Sequence, residues 1–519
     1  MKYFQFFIIS IFCLAICSCK KTIDLYPESN LNTGTFYSTY GEIQAGVSGC
    51  YSSMRNPQLR EWQLTELRSD NSWMGVTGST NSFNRDLSDL DQFIPATTHA
   101  GLYSYWQDSY NNIRNCNVVL QKLGVSYDAS SGTIGLANII TPVSDVDRKQ
   151  FAGEALFIRA HHYFNLVRLF GGVFLIDRTI TPTESLVINR SSAADIYKFI
   201  EADLKAASVY LSNLKYTQLI LPANIANLGK TNAWAAKALL GKVYLTQNKK
   251  TEAITQLQDV ITNSGYSLQA SYANVFSIFT EMNSEILFAV RYKAGGLGQG
   301  SSFGNDFGPL NSASTVINGS GLGWNAPTTE MDTILIASDA RRNINIAIYG
   351  TGVNATLYVK KYLFPVTIGF DGESDWPIIR YADVLLMMAE AQGFSPASIG
   401  LISQVRVRAG IGAVPASVNT TALFEKELAD QRRLEFAFEN QRWFDIVRYN
   451  TTMTTVNAQQ IIKDHFAHTY TVHYSTYTAP TPTLAELQGN VTANRLLLPI
   501  PQHEIDTNTQ LAIPQNPGY

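Results

Sequence analysis

The chain has 519 residues, a formal net charge of −3 and only 16% charged residues, which excludes the basic field that nucleic-acid binding needs. Five cysteines do not make a disulfide framework, and the length allows several domains or two lobes sharing one large core. Many of the 26 Tyr, 26 Phe and 7 Trp must pack a core, but loops also carry them, and exposed aromatics usually mean binding.

Residues 1–18 read as a secretory signal: one early cation, Lys2, then an apolar run from Phe6 to Cys17 too short to span a bilayer, then Ser18. Cys19 follows that small residue directly, an arrangement that resembles the bacterial lipobox, whose cysteine receives lipid and becomes the mature N-terminus. Buried acyl methylenes then supply membrane affinity at about 0.8 kcal/mol each, with no spanning segment. Cleavage leaves Cys19, Cys50 and Cys116, and a Cys50–Cys116 bridge stays open as an alternative to two free thiols. Residues 19–32 are polar, contain Pro27 and read as the lipid anchor and tether.

Helical periodicity begins at Thr35-Phe36 and runs to Met54, with Ile43, Val47 and Tyr51 four residues apart. Trp106, Tyr110, Ile113, Asn117 and Leu120 form one stripe of a second helix. Leu156, Ala160, Tyr163, Val167 and Phe170 form a third, which Gly171-Gly172 stops. Leu240-Gly241-x2-Tyr244 followed by Ala253-x3-Leu257 has the register of a tetratricopeptide repeat, with Lys237 and Gly265 at the repeat's usual Trp and Pro positions. Val384, Ala389 and Ala391, then Ile399, Ile402 and Val405, echo it. One helix pair cannot bury its own faces, so stacked pairs forming a solenoid are expected.

From Glu285 to about Asp375 the pattern changes. Ile286–Val290 reads as a short strand, and a loop region rich in Gly, Asn and Ser follows to Trp324. Large aromatics in such a region argue for a folded binding loop. Sugars stack flat C–H faces on Trp or Tyr and present hydroxyls to Asn, Asp or Gln. Two polar loop clusters have that mixture: Arg68, Asp70, Asn71, Trp73 and Asn81, and then Tyr292, Phe303, Asn305, Phe307, Trp324 and Asn325. The ligand candidates taken from them are Asp70, Asn71, Trp73, Asn81, Tyr292, Phe303, Asn305 and Trp324.

Several blocks resemble the SusD/RagB family of Bacteroidetes nutrient-binding outer-membrane lipoproteins. They are Glu154-Ala155-x-Phe157-x-Arg159-Ala160-x2-Tyr163-Phe164 with Phe170-Gly171-Gly172; Ile379-Arg380-Tyr381-Ala382-Asp383-Val384; Val405-Arg406-x-Arg408-Ala409-Gly410; and Arg432-Arg433-Leu434-Glu435-Phe436 leading to Glu439-x2-Arg442-Trp443-Phe444-Asp445. Pro499-Ile500-Pro501 and the closing Gln515-Asn516-Pro517-Gly518-Tyr519 resemble the family terminus and imply a complete chain. The resemblance implies a mainly α fold: a tetratricopeptide-like helix-pair solenoid, SusD-like, with a loop-rich second lobe containing short strands. It implies an N-terminal helical region over 33–284 and a C-terminal region with ligand loops and closing helices over 285–519. It also implies a non-catalytic, outward-facing lipoprotein of the outer membrane. Such a protein captures oligosaccharides and delivers them to a TonB-dependent, SusC-like barrel transporter. A peptide receptor with the same lid role is the alternative, and the low charge content leans toward sugar. No cofactor is implied; a structural calcium ion is possible, though no motif indicates one.

The remaining chemistry-bearing residues have plainer readings. Arg432, Glu435, Glu439 and Arg442 recur at three- and four-residue steps, the spacing of a charged helix face. Arginines on both sides keep both glutamates ionised, whereas a general acid needs a raised pKa. His465, His468 and His473 lack metal-site spacing and read as loop histidines. Gly296-x-Gly298 lacks the helix and third glycine of a dinucleotide loop, and no G-x-S-x-G is present. If Cys19 carries the only anchor, Cys19→Ala releases the protein into the soluble fraction and abolishes metabolic labelling with palmitate. Membrane retention with labelling intact would refute the anchor.

Overall fold

Helix length and capping chemistry set the architecture. The computed structural model describes residues 36–76, 82–215, 228–477 and 480–519, so the signal, Cys19 and the tether lie outside the described residues. Helices of ten residues or more are α1 (Tyr40–Ser53), α2 (Arg55–Thr65), α3 (Ser82–Asp91), α4 (Ala100–Lys122), α5 (Asp145–Phe170), α6 (Ala193–Tyr210) and α7 (Ala233–Thr246). They continue with α8 (Lys250–Asn263), α9 (Tyr381–Gln392), α10 (Pro396–Arg408), α11 (Thr421–Glu435), α12 (Arg442–Thr452) and α13 (Ala458–Thr469).

The expected first helix starts later than its periodicity suggests. Tyr37 has a φ of 76°, and a Thr39–Glu42 capping box opens α1 at Tyr40. Ile43 and Val47 are buried on α1 as expected, and the stripes of α4 and α5 face the core. At the end of α5, Gly171 has a φ of 73° at the cap position.

From α5 to α11, each helix packs on the next. The pairs α5/α6, α7/α8 and α9/α10 stack into the solenoid, and α8 against α9 joins helices separated by over a hundred residues. Within α7/α8 the small residue of the repeat has a direct role. A Cβ on Gly241 would lie 2.8 Å from the Leu257 side chain, so glycine sets how closely the pair approaches.

The second lobe is built from loops and two-stranded pieces. β4 (Ile286–Val290) pairs antiparallel with β8 (Trp376–Arg380), whose last residue caps α9. Of the other strands, β1 (Ser72–Trp73) pairs with β5 (Ala326–Pro327), β2 (Val125–Asp128) with β3 (Thr133–Leu136), and β6 (Ile346–Tyr349) with β7 (Thr356–Val359). The β1–β5 ribbon ties the early polar loop to the end of the Gly-rich region. Both β4 and β8 are wholly buried, and one hydrophobic core runs from α1 to the closing residues. Among the described residues no helix is long and apolar enough to cross a membrane.

The charged stripe from Arg432 to Arg442 is not one helix face. α11 ends at Glu435, and Phe438 and Asn440 turn the chain at positive φ before α12 begins. Each charge pairs elsewhere. Arg432 binds Asp383 and Asp445, Glu435 meets Arg341, Arg380 and Arg408, Glu439 meets Lys361 and Arg380, and Arg442 takes Asp70. Burial pushes the Glu435 carboxyl up, but the three guanidinium groups more than reverse it, leaving it at about 2.

A carboxylate with a depressed pKa stabilises the fold above its unfolded pKa of about 4.3, and that contribution is lost as pH falls toward 2. Glu435→Gln leaves three buried arginines short of a partner and costs about 3 kcal/mol or more. Melting curves should show the loss at neutral pH and a weaker acid dependence below about pH 4, with ligand affinity per folded molecule unchanged. Unchanged melting with lost binding would place Glu435 in a ligand site instead.

Candidate functional site

The Gly-rich region is an ordered platform. Its anchor is the short helix Phe303–Phe307, onto which the returning chain is clipped by three backbone bonds: Leu322 N–H to the Asn305 carbonyl (2.8 Å), Gly323 to Gly308 (2.8 Å) and Trp324 to Asp306 (2.9 Å). Gly75 brings in the early polar loop, since a Cβ there would lie 2.2 Å from the Gly323 carbonyl oxygen. Trp324 is half-buried at this junction. Its Nε1–H donates to Asn84 Oδ1 at 2.9 Å, and its ring lies 4.6 Å from Phe83 and 6.2 Å from Trp62, near-parallel to the latter.

Strain and unmet polarity concentrate around this ring. Asn311, Ala313, Ser320 and Asn325 all have positive φ, at about 1–3 kcal/mol for each such backbone position in a non-glycine residue. The buried Asn325 carboxamide has no hydrogen-bond partner among the described residues. Leu310, whose Cβ would meet one placed on Gly323 at 3.1 Å, is 44% exposed. Phe370, Ile368 and Leu297 are also exposed in this lobe, and Ile368 lies beside Gly296. The arrangement presents a partly open aromatic face beside exposed aliphatic side chains, which suits a ligand with C–H faces.

Most of the expected ligand side chains are packing groups instead. Phe303 is fully buried against Trp376 (4.5 Å), Tyr292 (5.5 Å) and Tyr362 (5.7 Å), and the Tyr292 hydroxyl donates to the Arg55 carbonyl. Asn305 is 1% exposed and joins three loops: its Nδ2 donates to the Asn318 and Ser320 carbonyls, and its Oδ1 accepts from the Phe370 N–H. Asn71 is buried and accepts from Arg433, while Trp73 stacks on His473 at 4.1 Å with the rings 4° apart. Asp70 is 3% exposed and accepts two bonds from Arg442, at 2.7 and 2.8 Å. Asn81 lies outside the described residues. Of the described candidates Trp324 alone keeps a half-open position; Phe83 and Asn84 contact it, Leu310 lies by Gly323, and Phe370 is tied in through Asn305. Phe83 and Asn84 stand beside Asn81 in sequence, and Phe370 is an aromatic between glycines; those were the signals available for them.

The other flagged residues resolve plainly. His465 and His468 sit on α13 rather than in a loop. Among the described residues, no group of three or more His, Cys, Asp or Glu could hold a metal ion. The amides of Gly295 and Gly296 bind Asp371 at 2.8 and 2.7 Å, so the loop is turned on a carboxylate rather than a phosphate. Cys50 and Cys116 are both buried free thiols.

Comparison with known proteins matches this architecture along nearly all of its length. The profile described as "SusD family" matches residues 346–519, and the profile "SusD-like_3: Starch-binding associating with outer membrane" matches residues 23–245. The chain belongs to the SusD/RagB family. A SusD-like protein of Formosa agariphila is 26% identical, over all of both chains, and one of Bacteroides ovatus is 24% identical over 97% of this chain and 96% of its own. Among solved structures, a "Laminarin binding SusD-like protein" is 26% identical with a TM-score of 0.72, covering 93% of this SusD-like chain and all of its own. "Surface glycan-binding protein A from Bacteroides thetaiotaomicron in complex with laminarihexaose" has the same fold at 18% identity, with a TM-score of 0.70 over 92% of this chain and 99% of its own.

The stacking of Trp73 on His473 generates a prediction. Trp73→Ala empties a buried aromatic site and should lower stability by about 3 kcal/mol, read as an earlier melt, with oligosaccharide affinity per folded molecule unchanged. Unchanged melting with weakened binding would return Trp73 to the ligand surface.

Proposed function

We propose that this SusD-like protein is a cell-surface receptor for neutral oligosaccharides, held at the outer membrane by lipid on Cys19 and without catalytic activity. It passes its ligand to a TonB-dependent, SusC-like barrel. The observation that carries the reading is the Trp324 platform, where a half-open indole on a strained loop is held against Asn84 and Phe83 of α3, with Leu310 exposed beside Gly323. Sugar C–H faces stack on such an indole, and a side-chain amide combines donor and acceptor groups of the kind that meet ring hydroxyls. The laminarin-binding relative of similar length supports the ligand class. The profile description that pairs starch binding with the outer membrane supports the location. The absence of catalysis is supported by Glu435 and Glu439, the carboxylates most tempting as an acid–base pair, which are buried in ion pairs with arginine and lysine.

Calorimetric titration with laminarihexaose, starch-type oligosaccharides and mixed peptides tests the reading. At least one glycan should bind, and Trp324→Ala should weaken it roughly tenfold or more, about 1.4 kcal/mol. Binding of peptides with no glycan bound would replace the saccharide reading with a peptide receptor. Full affinity in a folded Trp324→Ala protein would move the site elsewhere.

A further inference from the structure

A cavity of about 610 Å3 opens between α11 and α13, a size suited to a small ligand. It takes no residue from the Trp324 platform. Its inner end holds buried Asp70, Arg433, Arg442 and His465. The Asp70 carboxylate is taken by Arg442 and by Arg433 at 3.2 Å, and Arg433 also meets Glu330 at 2.8 Å. His465 is 3% exposed, and neither of its ring nitrogens has a partner among the described residues; nor has Arg442 Nη1. Burial pushes the imidazole down to about 4, so near neutral pH it offers one donor and one acceptor.

Charge narrows the ligand class. Lys426 is paired with Asp430 at 2.6 Å, and the Gln460 amide donates to Asp464 at 2.7 Å. Arg433 and Arg442 face Asp70 and Glu330, and Lys426 faces Asp430, so carboxylates match the lining cations and an anion gains little; each lining carboxylate is held by a guanidinium, an ammonium or an amide, which leaves little for a cation. The wall is aliphatic, formed by Leu423 and Ala429 of α11, Val456 before α13 and Ile461 on it. A ligand that satisfies this cavity is neutral, offers C–H surface to the wall, and carries groups that both donate and accept at the inner end. Hydroxylated sugar rings have those properties.

We propose that the cavity between α11 and α13 is a second saccharide subsite, taking one or two units of a neutral oligosaccharide. The proposal rests on the saccharide reading of the Trp324 platform and adds a separate point of attachment to it. With no Trp or Tyr in the wall, this subsite binds more weakly than the platform. Two weak attachments on one chain raise overall retention through effective concentration.

Crystals of the mature protein soaked with laminarihexaose should show sugar density in the cavity within hydrogen-bonding distance of His465. In a Trp324→Ala protein, saturation-transfer NMR with the same sugar should retain a signal. Adding Ala422→Met, on the exposed rim of α11, narrows the cavity mouth without offering a ring to stack on and should cut that signal at least about fivefold. Density at Trp324 alone, or a signal unaffected by Ala422→Met, overturns the cavity subsite and leaves the platform reading intact. Density in the cavity with none at Trp324 supports the subsite and overturns the platform. No sugar at either place removes both.

Discussion

Arg380 sits 1% exposed where β8 passes into α9, and its guanidinium reaches three carboxylates from distant parts of the chain. Nε meets Glu439 at 2.8 Å, and Nη1 meets Glu285 at 2.9 Å and Glu435 at 2.6 Å. Lys361, Arg341 and Arg408 extend the cluster. It therefore joins the strand pair of the loop-rich lobe, the solenoid helix α9, the end of α11 and the turn before α12. Buried charges of this kind add little net stability over a well-packed apolar core, yet each is strongly penalised when its partner is displaced. Their effect is on geometry: any other docking of the two lobes leaves a charge alone in a low-dielectric interior.

That constraint positions the candidate site. β8 pairs with β4, and Trp376 on β8 supports Phe303, which begins the short helix holding Leu322, Gly323 and Trp324. From the opposite direction, Arg433 and Arg442 hold Asp70 at the start of β1, and β1 pairs with β5 just after Trp324. The platform is thus clamped at both ends by buried groups. Such clamping lets four non-glycine residues persist at positive φ, because the surroundings over-determine the loop.

The helical scaffold was legible in the sequence because its signal is local. The stripes from Trp106 to Leu120 and from Leu156 to Phe170 each describe one face of one helix, and Gly241 reports a contact only sixteen residues away in sequence. Exposure in the loops was not legible, because it depends on partners far along the chain. Trp73 and Trp324 look alike in sequence, each in a polar loop. His473, four hundred residues later, stacks face to face on one and buries it, whereas Phe83 and Trp62 flank the other and leave it half-buried. Asp70 likewise reads as a hydroxyl acceptor until Arg442 occupies both its oxygens. The stripe from Arg432 to Arg442 had helical spacing, but Phe438 and Asn440 break the helix, and only the tertiary fold assigns its partners.

The Trp324 platform and the cavity between α11 and α13 share one electrostatic character. At the platform Trp324, Phe83 and Leu310 carry no charge; in the cavity Lys426, Arg433 and Arg442 are held by carboxylates, and Asp464 by the Gln460 amide. The low charge content thus has a local counterpart, since the protein uses most of its buried ions to fix its own shape. Selectivity at such surfaces comes from stacking and from the placement of donors and acceptors, so screening by salt has little to act on. For the saccharide ligands proposed above, discrimination would then rest on ring face and hydroxyl orientation, the two features to which an indole and an amide respond.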